Sequence, residues 1–156
     1  MKRAKIAFPA PAEFEVTERV EGNATTDFGA PAIAAQSDSK PVSAAEAKRL
    51  ADLLGAAWRT FDEAVAGAPA ELRKGPRGGG RDRDKIRDHV EGAELAYAGK
   101  IGLRLREPDR KAFLKALGRP SSGGPLKPNG WNARYATRRL AWHALDHAWE
   151  IQDRSQ

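Results

Sequence analysis

Histidine is scarce in this chain: His89, His143 and His147 are the only three. Two of them fall four apart in "AWHALDHAWEIQDR". On a helix that spacing puts both imidazoles on one face, about one 5.4 Å turn apart. A Zn–N bond is ~2.0–2.1 Å, so the two rings can ligate one ion. His89 supplies a third nitrogen if its own helix turns inward. Three neutral imidazoles leave a divalent ion its full charge and open positions, and such an ion acidifies a bound water or thiol. The opposing reading is that each ring is a packed core residue. The HExxH pattern of zinc proteases is missing, because Ala144 follows His143 directly.

Other residues near these rings carry possible roles. Glu150 follows His147 by one turn and suits a fourth ligand, a general base or a helix-end carboxylate in a salt bridge. Arg139 precedes His143 by one turn. It could grip a substrate carboxylate bidentately, or pair with a carboxylate on a neighbouring helix. Asp88 and Asp146 lie beside ligands in sequence and could hold a histidine of another helix. The connector "KGPRGGGRDRD" lacks the Lys-Ser or Lys-Thr of a phosphate-binding Walker loop. Its glycines still lead to a helix N-terminus, so Lys74, Arg77 and Arg81 are candidates to rim the site and bind an anion. The alternative is a solvated, flexible loop.

The elements that must position these groups are mainly helical. Ser43 and Glu46 form a capping-box pattern ahead of a helix whose stripe is Leu50, Leu53, Leu54, Ala57, Trp58 and Phe61. Gly67 and Pro69 stop it. Asp82 or Asp84 caps a second helix with the face Ile86, His89, Val90, Ala93, Ala96 and Tyr97. A short third helix follows, with Pro108 in its first turn and Gly118 at its end. The last helix runs from about Asn132 to Asp153. It is apolar around most of its girth, which places it centrally, with Ala136, Leu140, His143 and His147 in one arc. Residues 1–40 differ: Phe14, Val16, Glu18 and Val20 alternate as in a strand, "EGN" offers a turn, and "ATTDFG" could return as a second strand. The expected fold is one domain over 1–156, a mainly α four-helix bundle (43–154) with a β-hairpin or extended N-terminal segment.

A histidine on the second long helix, followed by HxxxH on the last helix, resembles the DinB/YfiT-like superfamily over about residues 43–154. "WHALDHAWEIQDR" is the strongest local match. The resemblance implies a divalent metal, zinc or nickel, on His89, His143 and His147. It also implies a thiol-dependent transferase or isomerase using a low-molecular-weight thiol such as mycothiol or bacillithiol, and a homodimer. The N-terminal forty residues and the basic connector depart from that pattern.

Composition narrows the classes. There is no cysteine, hence no disulfide, thiolate ligand or cysteine nucleophile. No apolar run is long enough to span a bilayer, and prolines interrupt the basic N-terminus where a signal peptide would need its apolar core. A cytoplasmic, small-molecule enzyme is expected, with hydrolysis as a lesser variant. The net charge of +6 and the loop at 73–83 allow an alternative, a structural or nucleic-acid-binding bundle. That alternative lacks aromatics interleaved with the basic residues, so nucleic acid is not the expected partner. Trp58, Phe61, Trp142 and Trp149 read as core or as a face for a second copy.

Overall fold

The computed structural model describes residues 15–75 and 78–156. Four α-helices form the bundle: α1 (Ala44–Gly67), α2 (Arg83–Lys100), α3 (Arg110–Leu117) and α4 (Ala133–Arg154). α4 is central, as its nearly all-round apolar surface requires. It packs most extensively on α1 and also touches α2, while α3 sits against α1.

Local chemistry sets the helix ends. Ser43 Oγ accepts from the Glu46 amide at 3.2 Å, and Asn132 Oδ1 accepts from the Tyr135 amide at 2.9 Å. Each satisfies one of the free donors of a first turn. Only half of the expected capping box forms, because Glu46 turns away to pair with Arg134. Asp109, not Pro108, opens α3: its Oδ1 accepts from the Ala112 amide at 3.0 Å, leaving Pro108 outside the helix. Asp82 stands at the N-cap of α2, yet its carboxylate accepts from the Leu72 amide instead of its own helix.

One continuous core runs from Val42 to Ile151. On α1 it takes Leu54, Ala57, Trp58 and Phe61, while Leu50 and Leu53 are only half-buried. On α2 it differs from the expected face. Ala96 is exposed, and Glu94 lies at the centre of the buried stripe with Ile86, Val90 and Ala98. Arg110 of α3 neutralises that carboxylate at 3.0 Å and reaches Asp62 at 2.7 Å. Burial still pushes the Glu94 carboxyl up, against the pull of Arg110.

Of the two expectations for the N-terminal segment, the described residues take the extended one. No strand occurs among them. Phe14 lies outside the described residues, and Val16 and Val20 are exposed. With no apolar surface to cover, an alternating pattern has nothing to hold it as a sheet. Short 3-10 turns at Thr26–Phe28 and Gln36–Ser39 interrupt the segment. It is strapped along α4: Arg138 grips Asp38 through two 2.6 Å bonds, and the Tyr135 hydroxyl donates to the Ala32 carbonyl at 2.9 Å. A single antiparallel bridge joins Val42 to Ser121. No helix among the described residues is long and apolar enough to cross a membrane.

Candidate metal centre

His89 of α2 meets His143 and His147 of α4 across the α2–α4 seam. Ring centroids lie 5.2 Å (89–143), 4.9 Å (89–147) and 4.7 Å (143–147) apart. One ligand atom from each ring lies within 4.8 Å of the other two, a group able to hold a metal ion. Tetrahedral ligation at ~2.1 Å needs nitrogens ~3.4 Å apart, so small side-chain rotations suffice to close the set. The donor set is borderline-soft and neutral, which suits a first-row divalent ion. The α4 rings are buried, whereas His89 is partly exposed. The cluster therefore sits at the rim of the core with one side toward solvent, which suits a site that must admit something.

The electrostatics disfavour protonation of His143 and His89. Burial, with His147 and His89 close by, lowers the His143 pKa from 6.5 to about 3. His89 is lowered too, chiefly by burial and then by the nearby positive charge of Arg81. Neutral imidazole is the form that ligates.

Glu150 is the group that orients the site. Its Oε2 lies 2.8 Å from His147 Nδ1, and its Oε1 accepts from Arg154 at 2.7 Å. A carboxylate only accepts, so Nδ1 carries the ring proton and the Nε2 lone pair is left for a ligand bond. Arg154 in turn donates to the Arg73 carbonyl at 2.8 Å, and the Arg73 amide donates back to the Arg154 carbonyl at 2.9 Å. Gly80 lies close to the same guanidinium. Its φ is +126°, and a Cβ there would stand 2.5 Å from Arg154 Nη2. The glycine-rich connector is thus latched to the metal end of α4. Its Gly75 and Gly78 amides donate to Gly79 and Gly75 carbonyls, both at 2.8 Å, so neither is left for an anion.

The remaining candidates divide. Arg81 is exposed, and its charge is felt at both His89 and His143. Lys74 is instead spent on Asp82 at 3.1 Å. Arg77 lies outside the described residues. Asp88 pairs with Arg87 at 3.3 Å, and Asp146 is exposed. Arg139 has no carboxylate among the described residues. Its guanidinium lies over the Trp142 and Tyr97 rings, at 4.9 and 5.7 Å. Of the aromatic stripe, Trp58 is core, Trp142 is half-buried, and Trp149 is 56% exposed. Sequence spacing missed Arg154 and Gly80. The signal was there in the i, i+4 relation of Glu150 to Arg154, but nothing in one sequence tied that pair to the loop.

No protein-family model, curated protein or solved structure matches the chain.

Proposed function

We propose that this protein binds one divalent transition-metal ion through His89, His143 and His147, zinc or nickel being the natural occupants. The reading rests on one observation: three imidazoles from two helices converge to within 4.8 Å. Glu150 fixes the tautomer of His147, and burial keeps His143 neutral. The ion would supply Lewis acidity toward a bound oxygen or sulfur donor. The chain's own residues orient the ligands and leave one side of the cluster open. Together with the resemblance to DinB-like bundles, this favours a metal-dependent transferase or isomerase working on a small molecule in the cytoplasm, with a low-molecular-weight thiol as co-substrate. The same resemblance favours a homodimer.

The test is metal content by elemental mass spectrometry on tag-free protein, wild type beside His143→Ala. About one ion per chain, lost in the variant, is expected. Wild-type protein that stays metal-free after zinc or nickel is offered and the excess removed would overturn the proposal.

A further inference from the structure

The α2–α4 seam continues beyond the histidines as a wall of rings. Tyr97 lies 5.8 Å from His143, and Trp142 lies 6.1 Å from it. These two rings carry the Arg139 guanidinium, so the cation and the imidazole share the same supports. Its neighbours on α4 are all answered by carboxylates: Arg134 by Glu46, Arg138 by Asp38 and Arg154 by Glu150. Among the described residues no carboxylate answers Arg139, and its Nη1, like Arg154 Nη2, is buried without a hydrogen-bond partner there. A charged donor left unpaired away from water costs more than a neutral one. Buried donors without a partner are uncommon in native structures, and each calls for an explanation.

The contacts also say what is missing. A guanidinium drawn to aromatic faces still has its N–H groups to make hydrogen bonds. A guanidinium edge matches a carboxylate with two parallel bonds. We propose that Arg139, its guanidinium over the Tyr97 and Trp142 rings beside His143, is the carboxylate-recognition residue of this site. Its small-molecule ligand then carries a carboxylate a few bonds from the group that meets the metal. This inference rests on the metal reading above and names the ligand class for it. Arg81 serves only as a general source of positive potential at the open side.

The experiment uses cobalt-loaded protein, with cobalt content checked in every sample. β-Mercaptopropionate and β-mercaptoethanol are titrated separately, and the thiolate-to-cobalt absorption is followed. About 0.3 M salt screens the general positive field. Wild type should prefer the acid by about tenfold or more, the scale of one charge-assisted pair. Arg139→Gln should retain cobalt and shrink that preference to within about twofold. Arg139→Lys should keep only part of it, and Arg81→Gln should leave it unchanged. Equal affinities of wild type for the two thiols would overturn the inference and leave the metal reading standing. So would an Arg139→Gln protein that keeps the full preference. Wild type that takes up no cobalt would overturn both. The wild-type comparison decides even if a variant fails to fold.

Discussion

Replacing Glu150 by Gln changes one atom and tests how the site is oriented. Glu150 accepts on both oxygens, from His147 Nδ1 at 2.8 Å and from Arg154 at 2.7 Å. An amide can accept on one side only. Arg154 is a permanent donor, so the amide oxygen must face it and the NH2 must face His147. That NH2 needs an acceptor, which moves the ring proton from Nδ1 to Nε2 and removes the lone pair that ligates. Loss of a partner that orients a metal-binding histidine costs about 10–100-fold in affinity, or ~1.4–2.7 kcal/mol. Competition with a chromophoric chelator measures that affinity for zinc, and long-range nitrogen–proton spectra of the imidazoles report the tautomer. Glu150→Gln protein with zinc affinity within twofold of wild type, or with Nδ1 still protonated, would refute the argument.

Three further outcomes are expected. Gly80→Ala puts a Cβ against Arg154 at a φ of +126°. Urea unfolding should show ~1–3 kcal/mol of destabilisation, while Gly79→Ala, with open space at its Cβ, should stay within about 0.5 kcal/mol. Arg110→Ala leaves the Glu94 carboxylate buried without its cation. A loss of ~3–5 kcal/mol is expected, most of it recovered by adding Glu94→Leu, because an apolar replacement removes the stranded charge. In chelator-treated protein the unfolded chain takes a proton on His143 below its ordinary 6.5, whereas the folded chain resists until about 3. The unfolded state therefore binds more protons across that window, and stability falls as pH drops through it. Full stability holds above about pH 6.5, and about 2 kcal/mol is lost by pH 5 from this group alone. Equal urea midpoints at pH 7.5 and 5 would contradict that account.

The helices and the convergence of the histidines were legible because both rest on short-range periodicity. HxxxH fixes a face, and caps such as Ser43 and Asn132 mark where faces begin. What escaped depends on contacts remote in sequence. Glu94 breaks the apolar pattern of α2, and only the position of Arg110, sixteen residues on, makes its burial tolerable. The alternation around Val16 and Val20 looked like a strand, yet a strand needs a partner edge, and the segment instead finds α4 through Asp38 and Ala32. Lys74 was a reasonable anion ligand by type, and Asp82 removes it from that role. Arg139 departs from one of its two readings, the pairing with a carboxylate of a neighbouring helix. Among the described residues it has no carboxylate from a neighbouring helix, and its aromatic supports come from two different helices.

The seam between α2 and α4 has a consequence for how the chain comes apart. Among the long helices, α2 has the thinnest apolar attachment: its buried residues are Ile86, Val90, Glu94 and Ala98, and one of those is a carboxylate. Its histidine faces two on α4 that lie more than fifty residues further along the chain. An ion shared by these rings would act as a cross-link closing a long loop, and closing long loops removes much of the freedom of the unfolded chain. The helix that apolar packing holds least would then be held most by coordination. Opening of the bundle would begin at α2 whenever that bond is broken, and the amide protons of α2 would exchange ahead of those of α1 and α4.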